Sequence, residues 1–300
     1  MTGYIALYAE AFGLVFNLMT LFLIFRQGLR SPDMHLALLL SMCDIFLVSS
    51  RLGLYIYYNG TGNMEIFSNV WFGQLDGLIM CMLVSTSVLC VGYLALLRCW
   101  AIFLKKKINI KCWMGFFVAQ QGLLVFLLIH VALNRDFKLT PFGRFFYPDT
   151  SSKSPSTRVC LFLFPAWIFF SAAAVNVAYP AICYVYIHQI DKVALFLEWR
   201  PHVIARRYSF QKVTIVLRIC FLLFIYDLVM LPGLYIISKD FITNKIRSED
   251  EDSLVSITML ALAIVNPITL IFLHKDFFDD IKFLARATFH KTLSSFSINQ

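Results

Sequence analysis

The side chains best placed to do chemistry are Asn17, Asp44, Ser87 and Asn266, each set inside a long apolar stretch. By residue count they lie at similar depths, so a carboxylate, a hydroxyl and two amides could share one polar cluster. An ionisable group in hydrocarbon is costly and by default marks function. A second set follows from helical arithmetic: Glu10 lies seven residues from Asn17, Arg51 seven from Asp44, and Asp76 eleven from Ser87. Seven and eleven are near whole numbers of turns at 3.6 residues per turn, so these charges face the same interior, roughly 10 to 16 Å along the axes. The set reads either as a site where Arg51 receives an anionic group or as an internal salt bridge of Arg51 with Glu10 or Asp76. Asp227 reads either as a protonation-coupled switch or as a hydrogen-bonded buried group. His188 is either a pH-sensitive contact or a solvated boundary residue.

The elements that must carry these residues are membrane spans. Hydrophobic residues make up 59% of the 300, charged residues only 15%, and mean hydropathy is +0.73, far more apolar than a water-soluble chain of this length needs. Stretches long enough to cross a hydrocarbon core of ~30 Å fall near 4–26, 34–57, 77–103, 113–134, 160–190, 213–238 and 254–273. The expected fold is an all-α membrane protein, a seven-helix bundle forming one domain over 1–300. Beyond the last stretch, "DFFDDIKFLARATF" places Phe277, Phe278, Ile281, Phe283 and Leu284 at helical spacing, which predicts a short amphipathic surface helix over 275–288. The seventh stretch contains Asn266-Pro267. A proline inside a helix removes one hydrogen bond and persists only where a neighbour satisfies the freed carbonyl or a bend is used.

Charge sets the expected orientation. With the N-terminus outside, most of the 26 basic residues fall in inner segments, including Arg98, Lys105 to Lys107, Arg206, Arg207 and Lys212. That bias follows the positive-inside rule, so the net charge of +8 reads as membrane topology and not as a nucleic-acid footprint. Asn59-Gly60-Thr61 is then an outward glycosylation acceptor, and the acidic run Glu249 to Asp252 an outward solvated loop. The first stretch lacks a basic opening and contains Glu10, which reads as a retained anchor. The cysteines lie in spans or at the inner face, apart from Cys160 near the outer face. No metal-ligand spacing, phosphate loop or nucleophile elbow is present, so an enzyme is not expected.

Taken in order, these residues resemble the rhodopsin-like family of G-protein-coupled receptors along nearly the whole chain. Asn17 matches the family's first-span asparagine, Leu40 and Asp44 its second-span pair, and Ser87 a third-span serine. "LRCWAI", residues 97–102, is similar to the family's Asp-Arg-Tyr motif and its tail at Arg98, Ala101 and Ile102. Pro180, Pro232 and Asn266-Pro267 match positions in the fifth, sixth and seventh spans, and Phe277 the start of the surface helix. The resemblance implies a plasma-membrane receptor that passes an extracellular ligand signal to a heterotrimeric G protein as the sixth helix moves outward. It further implies coupling and activation roles for Arg98, Ile102, Asn266, Pro267, Pro232 and Pro180. Asn17, Asp44, Ser87 and Asn266 would form a polar core, with Asp44 and Ser87 holding a sodium ion; no other cofactor is implied.

Departures from the pattern carry expectations of their own. Leu97 stands where the family has an acid, and the inner end of the sixth span offers Gln211 and Lys212, so resting-state ion pairs are missing and raised basal activity is expected. Leu270 and His188 replace tyrosines and weaken the active state, while Cys99 breaks the arginine motif. Met230 and Tyr226 replace a tryptophan and a phenylalanine, and Trp113 lies too near the inner face to match the fourth-span tryptophan. Trp71-Phe72-Gly73 resembles the end of the first outer loop, yet the third-span cysteine is absent, Cys81 lies too deep to replace it, and Cys160 is left without the family's partner. Met80 sits where amine receptors carry an aspartate, and the seventh span has no lysine. A biogenic amine held in that way and retinal are therefore disfavoured, and the ligand set read here is Arg51, Asp76, Met80, Glu10 and Met230. Two other classes stay open: a decoy or scaffold receptor that does not couple, and a transporter or pore, for which matched broken helices are expected and no internal repeat is seen.

Overall fold

The structure is a computed structural model that describes residues 2–29, 32–61, 69–104, 110–140, 146–196, 201–243 and 247–273. Among these residues lie seven helices: α1 (Thr2–Gln27), α2 (Pro32–Thr61), α3 (Val70–Leu104), α4 (Ile110–Leu133), α5 (Pro155–Phe196), α6 (Pro201–Thr243) and α7 (Glu249–Leu273). All seven are long and apolar enough to cross a membrane, as expected of a multi-pass membrane protein. Residues 275–288, where a surface helix is expected, lie outside the described residues.

Surface and interior are inverted relative to a water-soluble protein. Exposed apolar side chains run along α1 at Tyr8, Phe12, Val15, Leu18, Phe22 and Phe25, and along α6 at Phe210, Val213, Leu217, Phe221, Phe224, Leu228 and Leu231. These intervals of three and four residues draw one stripe per helix, suited to hydrocarbon and not to water. Polar residues instead occupy the interior, with Glu10, Asn17, Asp44, Arg51, Ser87 and Asn266 all buried. The third helix is the axis of the bundle: 78% of its most apolar window is buried, against 17% for α6.

The helices exceed the expected apolar stretches because their polar ends continue beyond the hydrocarbon-length core. Trp71, Phe72 and Gly73 belong to the first turns of α3 and not to a loop. The run Glu249 to Asp252 is the first turn of α7 and not a solvated loop. Ser248 and Glu251 cap it reciprocally: Glu251 N donates to Ser248 Oγ at 3.3 Å, and Ser248 N donates to Glu251 Oε2 at 3.1 Å. The acidic residues also suit the positive end of the helix dipole. Asn59 lies in the last turn of α2, which extends through Thr61.

A two-stranded antiparallel hairpin joins α4 to α5, pairing β1 (Phe137–Leu139) with β2 (Phe146–Pro148). Gln74 of α3 clamps it, donating from Nε2 to Phe137 O at 3.0 Å and accepting from Phe137 N at 3.1 Å. Gly73 and Gly77, one turn apart, leave the space for the Phe146 and Phe137 rings; a Cβ at either would overlap the ring. The hairpin therefore lies directly on α3, over one end of the bundle.

Candidate functional site

The central feature lies where α1, α2, α3 and α7 meet. Asp44 is fully buried and accepts from Ser87 Oγ at 2.7 Å through Oδ1 and from Asn266 Nδ2 at 2.9 Å through Oδ2. Asn266 Nδ2 also lies 2.9 Å from Ser87 Oγ. Three side chains from three helices thus form a closed triangle, the arrangement that makes a buried polar group tolerable.

Asn17 does something more specific. Pro267 has no N–H, so the carbonyl four residues earlier, that of Ala263, loses its helical partner. Asn17 Nδ2 donates to Ala263 O at 2.6 Å and to Gly13 O at 2.8 Å. The first helix thereby supplies the hydrogen bond that the proline removes from the seventh.

The triangle is also where a hard cation would be tested. Asp44 and Ser87 offer oxygen ligands of the right kind, and Asn266 Oδ1, buried beside them, has no hydrogen-bond partner among the described residues. The residues present fit a small monovalent cation chemically, in competition with Asn266 Nδ2 for the same carboxylate. Among the described residues no group of three or more His, Cys, Asp or Glu comes together.

At the opposite end of α3 from the hairpin, Arg98 Nη1 lies 3.4 Å from the Tyr179 hydroxyl of α5, one residue before Pro180. Leu97 is buried beside it. Ile102 is partly buried on the same helix, while Pro180, Pro232 and Pro267 all lie within continuous helices, as does Pro165. Ser171 joins α5 to its neighbours, donating to Val88 O at 2.7 Å and lying 3.1 Å from the Tyr226 hydroxyl.

Within the outer polar set, one pairing is defined. Arg51 forms an ion pair with Asp76, and both are largely buried. Glu10 is buried on α1. Neither Arg51, Asp76 nor Glu10 borders the main cavity; of the ligand set read from sequence only Met80 does, and Met230 borders a smaller neighbouring void. Asp227 accepts from Asn176 Nδ2 at 2.7 Å. His188 is exposed and stacks on Tyr184, with ring centroids 6.3 Å apart. All eight cysteines are free thiols, Cys160 and Cys81 among them.

The main cavity, about 50 Å³, lies under the hairpin between α3, α5, α6 and α7. Its walls are mostly apolar, with Met80, Val84, Phe164, Ile237, Val255 and Met259. Its roof is polar. Arg247 is 7% exposed, pairs through Nε with Asp240 at 2.9 Å and through Nη1 with Asp252 at 3.4 Å, and holds its guanidinium 4.7 Å from the Tyr147 ring centre. Burial pushes the Tyr147 hydroxyl well above the usual phenol range, although Arg247 pulls the other way, so the ring stays neutral. The chain matches no family model and no curated protein.

Proposed function

We propose that this chain is a divergent rhodopsin-like receptor in the plasma membrane, with its N-terminus outside, which binds a ligand beneath the hairpin and signals to a heterotrimeric G protein. The observation that carries this reading is the Asp44–Ser87–Asn266 triangle together with the Asn17 bond to the carbonyl freed by Pro267. Together they give the seventh helix a proline held by side chains from other helices, which is an element able to repack between two arrangements. Ligand binding at the cavity end would bias that equilibrium, and Arg98 at the other end would meet the partner. A sodium ion at Asp44 and Ser87 would favour the arrangement in which the carboxylate remains enclosed. Asn59-Gly60-Thr61 would in this orientation fall on the outer side, as a glycosylation acceptor requires.

The arrangement also bears on basal activity. Arg98 contacts the Tyr179 hydroxyl at 3.4 Å, a weaker bond than the ion pair with an adjacent acid that Leu97 makes impossible.

The test is nucleotide exchange on a panel of G proteins, without added ligand, in membranes carrying the intact chain or an Arg98→Ala form. Exchange above background that is lost with Arg98 is the expected result. Equal silence of both forms at matched surface expression, with no response in a ligand screen, would overturn coupling and favour a non-coupling relative.

A further inference from the structure

The polar roof of the main cavity restricts the chemistry of what can bind there. Arg247 donates a hydrogen bond to Asp252 and is ion-paired with Asp240, whose Oδ2 takes no hydrogen bond from the described residues; the Arg247 Nη2 is buried and has no acceptor among them. The Thr140 hydroxyl, 9% exposed and bordering the same cavity, likewise has no partner among them. A buried guanidinium nitrogen without an acceptor is unfavourable, so the roof asks for an acceptor from whatever fills the space. The two carboxylates beside Arg247 argue against that acceptor being a third carboxylate, which would meet two like charges in a site of low dielectric. The walls below offer hydrocarbon and two thioethers, Met80 and Met259, whose flexibility tolerates varied shapes. A cavity of about 50 Å³ holds roughly three to five water-sized groups.

We propose that this cavity takes a small, neutral, largely apolar molecule bearing one hydrogen-bond acceptor, such as a short ketone or ester, with its carbonyl on Arg247 Nη2 and Thr140 Oγ1 and its alkyl part against Met80, Val84 and Met259. The ligand class deepens the receptor reading and rests on it for its signalling consequence, whereas the binding itself does not require a G protein.

The experiment uses the full chain in lipid nanodiscs with three probes small enough for the space: 2-butanone, propanoate and butane. Saturable binding is measured after subtracting partition into empty discs, and the ketone carbonyl stretch is read by infrared difference spectroscopy. The expected result is 2-butanone binding at least about tenfold tighter than either companion, as a hydrogen bond from a charged donor predicts, with its carbonyl band shifted to lower frequency. Thr140→Val should weaken the ketone about three- to tenfold and leave butane unchanged. Arg247→Met, which keeps the bulk without a donor, should remove the band shift, and Val84→Trp, which fills the space, should abolish binding of all three probes. Propanoate binding tightest, ketone and butane binding equally, or no saturable binding of any probe would each overturn the proposal. Intact ketone binding beside silent nucleotide exchange removes the receptor reading alone, and active exchange without probe binding removes this site alone.

Discussion

A single amide on α1 explains why the seventh helix tolerates its proline. Removing that amide with Asn17→Ala orphans the buried Ala263 carbonyl and should cost about 1–3 kcal/mol. Adding Pro267→Ala restores the backbone N–H, so the two changes should be far from additive. A double-variant cycle read by thermal denaturation in detergent measures that coupling, and additive costs would refute the assignment. The ion pair Arg51–Asp76 behaves differently, since both charges are largely buried. Arg51→Gln should destabilise by about 3–5 kcal/mol by leaving Asp76 uncompensated, whereas replacing both residues with apolar ones of similar volume should recover most of the loss. On the proposed receptor reading Arg98 supplies a functional counterpart: Tyr179→Phe removes one of its contacts and should raise basal nucleotide exchange about two- to fivefold, the effect of a bond worth ~0.5–1 kcal/mol. Depth by residue count was enough to suggest that Asp44, Ser87 and Asn266 share one cluster, and helical arithmetic was enough to turn Arg51 and Asp76 inward. It could not show that Asp76 pairs with Arg51, because spacing along one helix says nothing about the rotation of the next.

Among the elements, the hairpin was the least legible. Its strands are three residues each, too short for an alternating pattern, and the glycines that seat it lie on α3, far away in sequence. Gly77→Val should displace Phe137 from its seat while leaving the helical content intact. Hydrogen exchange confined to 137–148 would detect this, and unchanged protection there would contradict the close-approach reading. The same element carries a pH dependence. Partial burial alone would raise the Asp149 carboxyl, but hydrogen bonds from Lys138 and Ser151 outweigh it and hold it below the usual aspartate value of 3.8. A depressed folded-state value means that the carboxylate stabilises the hairpin above that pH, and that the contribution fades as pH falls through the lower folded value. Exchange protection of β1 and β2 should therefore decline on acidification below about 4, and Asp149→Asn should flatten that decline. The start of α7, by contrast, was open to reading: Ser248 and Glu251 stand at capping-box spacing, but a run of acids suggested solvent. Arg247 was hidden for the same reason, since a cation beside four acids looks like a surface charge until the fold buries it.

At the scale of the whole molecule, the seven-helix architecture was readable because hydrocarbon length and composition constrain it so strongly. The cavity was not, because it is formed by four helices and a hairpin whose mutual rotations no local pattern records. One bond described above also bears on biogenesis. Asn17 and the Ala263 carbonyl are separated by 246 residues, and at roughly 5–20 residues per second of synthesis the second group appears about 12–50 s after the first. Through that interval Asn17 would have Gly13 O as its partner without the Ala263 carbonyl, so among the described helices the earliest to be made is the one whose last partner arrives latest. Nascent chains halted before α7 should therefore remain crosslinkable to the insertion machinery through α1 and release it once residues 249–273 emerge, and substituting leucine for Asn17 should let α1 leave early.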